Sequence, residues 1–327
     1  MISTYPDAGR LSSFYRVVNL AREQLAQAST EMVTGQKANP SRALADRVGE
    51  YNLVSKALVD IDAAKGRLGL AENRLAQTSV SLDSVRSVLD GFSTEAVQNL
   101  LQTGEVGRTQ TQATARSNIE AVMTFLNTRH GGRSLFAGDE VSNDAMAKPA
   151  ALLAGLEAAI GSATDAATIN TAIADYFAPG GGFETDIYEG GSGFAASVEL
   201  SNGSVVDYGI RADDQAFKDT LEGLARLAFI PDGVDFDWAE QAVQQLGRGE
   251  SAVVALQADI GRQQRMIEEN LDINAQEKII LTETSDNLIG VDALEAATRV
   301  QTLEAQLEAA YTVTARLARL TFTDYIR

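Results

Sequence analysis

The stretch VSKALVDIDAAKGRLGLAENRLAQTSVSLDSVRSVL (54–89) carries an apolar side chain at every seventh position. These positions are Val54, Ile61, Leu68, Leu75, Leu82 and Leu89. Three residues after each of them come Ala57, Ala64, Ala71, Thr78, Val85 and Phe92. This is the a and d spacing of a helix that buries a narrow stripe against another helix. The stretch therefore predicts a long helix beginning near Ser41.

A second stretch, downstream of Trp238, supplies the partner for that helix. It has no proline, and it repeats the seven-residue step at Leu246, Val253, Ile260, Ile267, Leu281 and Leu288, with one break at Asn274. The pattern predicts a long return helix that ends near Asn287. The two long helices can then lie side by side and antiparallel.

Both ends of the chain carry a shorter stripe of the same kind. The spacing of three and four residues predicts a first helix from about Ser12 to Met32 and a last helix after Gly290. Such a pair of helices is only marginally stable in isolation, which favours packing into an assembly. We predict an assembly seam that consists of Leu11, Phe14, Val18, Leu25, Met32, Val300, Leu303, Leu307, Leu317 and Leu320.

The middle of the chain has a different pattern. Two alternating runs, around Val198 and around Val206, flank Asn202-Gly203, which is typical of a β-hairpin. The predicted fold is mainly α, with a long antiparallel helical rod or coiled coil formed by both chain ends and a small mixed α/β insert. We expect a terminal coiled coil (1–44 with 287–327), a helical rod (45–138 with 237–286) and an α/β outer module (139–236).

Composition limits the function. The net charge of −18 disfavours binding to nucleic acid or to an anionic membrane surface. The chain has no cysteine and one histidine, His130, so thiolate catalysis and histidine-based triads are excluded. No constellation of catalytic, cofactor-binding or metal-binding residues is present in the pattern, and we predict none. The first residues carry no basic and apolar leader, so no cleaved signal peptide is expected.

Several stretches are similar to the flagellin superfamily. They are LAQASTEMVTGQK (25–37), VDALEAAT (291–298), LEAQLEA (303–309) and LARLTFTDYI (317–326). Two islands, GRSLFAGD (132–139) and DYGIRADDQAF (207–217), resemble the branch of that family that forms the hook–filament junction. The stretches 41–46 and 85–101 depart from filament flagellins.

The resemblance implies a structural subunit of the bacterial flagellum. It would be exported through the flagellar type III channel, with a chaperone on its C-terminal helix beforehand, and would lie outside the cell between hook and filament. Its partners would be a hook-associated protein, flagellin and copies of itself. Two alternatives are open: a filament flagellin, and a cytoplasmic helical signalling protein. An enzyme within residues 139–236 would be a third, which no residue pattern favours.

Overall fold

The structure is a computed structural model, which describes the backbone of residues 6–102, 104–193, 196–232 and 236–325. Side chains are described over 12, 15–44, 46–100, 104–193, 196–232 and 237–316. The helices are α1 (Pro6–Thr34), α2 (Pro40–Leu44), α3 (Val48–Leu89), α4 (Phe92–Gln102), α5 (Gly104–Leu126), α6 (Pro149–Ile160), α7 (Ala166–Phe177), α8 (Gln215–Ala228), α9 (Phe236–Ile289) and α10 (Ala293–Tyr325). The four strands are β1 (Arg129–His130), β2 (Arg133–Ser134), β3 (Ser197–Glu199) and β4 (Val205–Asp207).

The predicted fold class is confirmed, because the chain is mainly helical and its described strands form two small two-stranded sheets. β1 pairs antiparallel with β2, and β3 pairs antiparallel with β4. The chain divides into two compact units, Met1–Asp62 with Ala275–Arg327, and Ala63–Asn274. We call the first the terminal unit and the second the core unit, and the boundary between them falls within α3 and within α9.

In the terminal unit, the loop after α1 is bonded to the loop before α10. The Lys37 amide donates to the Ile289 carbonyl at 2.8 Å, and the Val291 amide donates to the Gly35 carbonyl at 2.9 Å. Between these bonds, Gln36 and Gly290 form an antiparallel bridge. Gly35 ends α1 with a φ of +68°, a conformation that glycine adopts without steric cost. Because the end of α1 meets the start of α10, the two helices run antiparallel.

The core unit buries the stripes predicted for the long helices. Leu68, Leu75, Leu82 and Leu89 of α3 share one hydrophobic core with Leu246, Val253, Ile260 and Ile267 of α9. The largest side chains of this core are the fully buried Phe136, Phe183 and Phe217. The heptad prediction is therefore confirmed for these positions.

α8 packs closely on α9 because glycine removes the side chain at both crossing points. A Cβ built on Gly223 of α8 would lie 2.6 Å from the Leu246 nitrogen. A Cβ built on Gly249 of α9 would lie 2.5 Å from the Thr220 nitrogen. Neither contact is possible for a larger residue without separating the helices.

The predicted β3–β4 hairpin is present, but its turn differs from the expected two-residue turn. The Leu200 amide donates to the Ser204 carbonyl and the Gly203 amide donates to the Leu200 carbonyl, so three residues form the loop. Only Gly203 needs a positive φ, +78°, as in a type I turn followed by a bulge. The Asn202 side chain instead accepts a hydrogen bond from the Ser204 amide at 2.9 Å.

The break in the α9 stripe at Asn274 has a structural reason. Asn274 is buried, and its Oδ1 accepts a hydrogen bond from the Ser201 hydroxyl at 2.7 Å. One turn earlier, Asn270 Oδ1 accepts from the Ser201 amide at 3.0 Å. The polar residue therefore interrupts the apolar stripe where the hairpin docks on α9.

Candidate assembly surface

Part of the predicted seam is buried between α1 and α10. Val300 and Leu303 form a buried cluster with Ala28, and Leu25 packs against it. Val18 and Leu307 are also buried. The side chains of Leu11, Phe14, Leu317 and Leu320 lie outside the described residues.

Met32 behaves differently from the other seam residues whose side chains are described. Its side chain is 42% exposed in the isolated chain. It lies in the last turn of α1, close to the loop that bonds to residues 289–291. Sequence spacing alone places it on the stripe, but the paired helices do not cover it.

Polar contacts fix the register between α1 and α10. The Arg22 Nε donates to the Tyr311 hydroxyl at 2.7 Å. Nearer the loops, Arg299 and Glu31 form an ion pair at 3.8 Å, and the Glu31 carboxylate also accepts from the Ala38 amide. These exposed contacts each contribute little free energy, but together they favour one alignment of the two helices.

The two helices also carry large apolar side chains that are exposed over the described residues. They are Tyr15, Val17, Leu20 and Val33 on α1, and Leu294, Tyr311 and Val313 on α10. Val33 is 80% exposed and Leu294 is 77% exposed. Scattered apolar side chains are common on protein surfaces, and their repeated exposure along both helices makes this pair a candidate interaction surface.

A shallow groove runs along α10 beside this exposed set. Small side chains line it, among them Thr298, Thr302, Ala305 and Ala309. Leu294 and Arg299 lie at its N-terminal end. Small residues let another helix approach closely, so this shallow surface is compatible with helix packing.

The core unit brings together the two islands singled out in the sequence. The Ala212 amide donates to the Phe136 carbonyl at 2.9 Å. The rings of Phe136 and Phe217 pack edge to face, with centroids 6.0 Å apart. The Asp139 carboxylate accepts a hydrogen bond from the Gly193 amide at 3.0 Å, which ties a third loop to the first island.

Two titratable groups of the core unit, Tyr188 and Glu184, have shifted pKa values and form hydrogen bonds within that unit. Burial raises the pKa of Tyr188 to about 12, and the Tyr188 hydroxyl donates to the Gly191 carbonyl at 2.8 Å. A hydrogen bond from Lys218 lowers the pKa of Glu184 below its ordinary value.

Within the described part of the chain, no group of three or more His, Cys, Asp or Glu side chains is placed to hold a metal ion. His130, the single histidine, is exposed in β1.

No helix over the described residues is long and apolar enough to cross a membrane.

A family model of the bacterial flagellin C-terminal helical region matches residues 240–326, which include most of α9 and all of α10. Comparison with curated protein sequences finds no match. Residues 240–326 are thus similar to the C-terminal helical region of flagellin, in agreement with the resemblance of the motifs in 291–326.

Two solved structures are matched as well. FlgL of Bacillus cereus is 14% identical, with a TM-score of 0.51, over 71% of this chain and 98% of that protein. A protein of Vibrio parahaemolyticus assigned as flagellar hook-associated is 14% identical, with a TM-score of 0.44, over 76% of this chain and 96% of its own. The fold of this chain is thus FlgL-like.

Proposed function

We propose that this protein is a structural subunit of the bacterial flagellum that joins the hook to the filament. The observation that carries the proposal is the thin pair of terminal helices, which buries a narrow seam and leaves apolar side chains exposed along both helices. Burying one such side chain in an interface contributes about 1.5–3 kcal/mol, so terminal helices of neighbouring subunits would be strongly favoured as partners.

The seam defined by the sequence serves this assembly in two ways. Val300, Leu303 and Leu307 hold α10 on α1 within one subunit. Met32 and the exposed side chains beside it are available for contacts with a neighbouring subunit. The division into a terminal coiled coil, a helical rod and an outer module over residues 139–236 is part of the same proposal.

The flagellin-like C-terminal helices and the FlgL-like fold support our choice of partners. We assign this subunit a hook-associated protein on one side, flagellin on the other, and its own copies around the axis. An export chaperone would hold the C-terminal helix before assembly. The protein would reach the cell exterior through the flagellar export channel, and its role would be structural and not catalytic.

Immunogold electron microscopy of intact cells tests the proposal, with an antibody raised against residues 139–236. A narrow band between hook and filament is the expected result. Label along the whole filament would instead identify a filament flagellin. Label confined to the cytoplasm would contradict both flagellar functions and favour the signalling alternative.

A further inference from the structure

The tip of the β3–β4 hairpin carries Asn202-Gly203, the single Asn-Gly pair in the sequence. Both residues are exposed, so water reaches them. In an Asn-Gly pair the backbone nitrogen of the glycine can attack the Cγ atom of the asparagine side chain, because glycine has no Cβ to hinder the approach. Every other asparagine of the chain precedes a larger residue. Asn202 is therefore the asparagine best suited to deamidation by its own backbone.

Deamidation at Asn202 needs water as its only added reactant. A bond forms between the Gly203 nitrogen and the Asn202 Cγ atom, and the bond between Cγ and Nδ2 breaks. Nδ2 takes up the proton of the Gly203 amide and leaves as ammonia, so the first product is a cyclic succinimide. Water then opens the ring at either carbonyl and yields aspartate or isoaspartate. In isoaspartate the main chain runs through Cβ and is longer by a carbon atom.

Hydrogen bonds of the folded hairpin oppose this attack. The Gly203 amide donates to the Leu200 carbonyl at 2.9 Å, so the attacking nitrogen is already engaged. The Asn202 Oδ1 atom accepts from the Ser204 amide at 2.9 Å and from the Ser204 hydroxyl at 2.6 Å. These two bonds hold the asparagine side chain towards Ser204, as in other turns that asparagine stabilises. The reaction thus requires the tip of the hairpin to open.

The residue before Asn202 anchors the hairpin on α9. The Ser201 amide donates to the Asn270 Oδ1 atom at 3.0 Å, and the Ser201 hydroxyl donates to the Asn274 Oδ1 atom at 2.7 Å. Both of these asparagines are buried, so the loss of their partner is unfavourable. An extra main-chain carbon between Ser201 and Gly203 would change the length of the loop and draw Ser201 away from α9.

We propose that Asn202 is a deamidation site that the folded hairpin restrains and that reacts whenever the hairpin is open. Conversion to isoaspartate then releases the hairpin from α9. The modification records the time that a chain has spent unfolded. This inference does not depend on the flagellar function, because it rests on the hairpin and its contacts with α9 within the core unit.

The first experiment compares the reaction in the folded and the unfolded chain. Full-length protein is incubated in mildly alkaline buffer with and without guanidinium chloride, and peptide mass spectrometry follows the conversion of the Asn202 amide to an acid. We expect conversion at least about tenfold faster in the denaturant, because no hydrogen bonds then need to open. Gly203→Ala should slow the reaction in the denaturant about tenfold, because its Cβ hinders the attack.

Asn73, which precedes Arg74, is an internal control in the same samples and should remain unconverted over the same time. Absence of conversion at Asn202 in the denaturant would overturn the assignment of the site. Equal rates with and without the denaturant would overturn the restraint by the hairpin.

The second experiment tests the restraint by the Ser204 side chain. Ser204→Ala removes the hydroxyl bond to Asn202 and should raise the rate in the folded protein about fivefold, relative to the rate of the same variant in the denaturant. Ser197→Ala is the matched control, since Ser197 is an exposed serine at the other end of the hairpin. Identical ratios for the two variants would contradict the restraint.

The third experiment tests the release of the hairpin. Protein that contains isoaspartate at position 202 is separated by ion-exchange chromatography and refolded. Its thermal midpoint should lie about 3 °C below that of the unmodified protein, because the contacts of Ser201 with α9 are lost. Asn202→Asp carries the same charge without the longer main chain and should shift the midpoint less. An unchanged midpoint for the isoaspartate protein would show that the hairpin stays docked, contrary to the proposal.

Discussion

The terminal unit and the core unit differ in how completely they bury their apolar side chains. The core unit surrounds Phe136, Phe183 and Phe217 on all sides. The terminal unit has two small clusters, one around Leu44 and Ile289 and one around Ala28 and Leu303, and neither contains a buried aromatic side chain among the described residues. Because burial supplies most of the stabilising free energy, we expect the core unit to be stable alone and the terminal unit to depend on neighbouring subunits.

The largest expected effect comes from placing a charge in the terminal seam. Leu303→Asp should abolish assembly, because an unpaired carboxylate in the buried cluster costs several kcal/mol. The thermal midpoint of the core unit should not change, since Leu303 belongs to the other unit. The measurement is the number of filaments in a deletion strain, combined with calorimetry of the purified variant. Leu303→Met conserves the volume and should assemble. Normal filaments with Leu303→Asp would refute the terminal-seam model.

Hydrogen exchange of the isolated monomer should show the next largest difference. Backbone amides of residues 15–34 and 293–316 should exchange several orders of magnitude faster than those of residues 68–89, because few buried contacts oppose opening of the terminal helices. Mass spectrometry of peptide fragments measures both regions in one sample. Equal protection would show that the terminal helices are stable without neighbours, which would contradict the expected difference in stability between the terminal unit and the core unit.

A steric change within the core unit should have a moderate effect on its stability. Gly249→Ala should lower the free energy of unfolding by about 1–3 kcal/mol, because the new Cβ would overlap the Thr220 backbone. Gly247→Ala is the matched control, since the space around Gly247 is open and alanine favours a helix by about 1 kcal/mol. Urea denaturation of both variants gives the two values. Equal effects would mean that α8 does not approach α9 as closely as described.

The smallest expected effect concerns the ion pair between Glu184 and Lys218, whose charged atoms lie 2.8 Å apart. The hydrogen bond from Lys218 lowers the pKa of Glu184, so the stabilisation is complete above the ordinary value of 4.5 and is lost as the pH falls below it. Glu184→Gln should lower the thermal midpoint by about 2 °C at neutral pH, and the difference should shrink in acid. A difference that grows as the pH falls would contradict this assignment.

The long helices could be predicted from sequence because their signal is local. Leu68 and Leu75 of α3 and Val253 and Ile260 of α9 repeat at seven-residue steps, and each is buried as the spacing indicated. The β1–β2 hairpin and helices α4 and α7 were not predicted. α4 and α7 are short and lack a heptad repeat, and the β strands have two residues each, so tertiary packing decides these elements.

The candidate surface could be predicted only in part. The stripe identified Val300 and Leu303, but spacing cannot show that Met32 remains exposed, because this depends on where α10 crosses α1. The sequence showed that Asn274 interrupts the apolar stripe of α9, but only the structure shows the reason, which is the hydrogen bond from the Ser201 hydroxyl.

The bridge between Gln36 and Gly290 also constrains the order of folding. These residues are 254 positions apart, so closing the loop between them in an unfolded chain costs about 5 kcal/mol of entropy. Prior folding of residues 63–274 removes most of that loop and lowers the cost. We therefore expect a chain that arrives unfolded, one residue after another, to fold residues 63–274 first. Its two ends would pair last and complete the terminal unit.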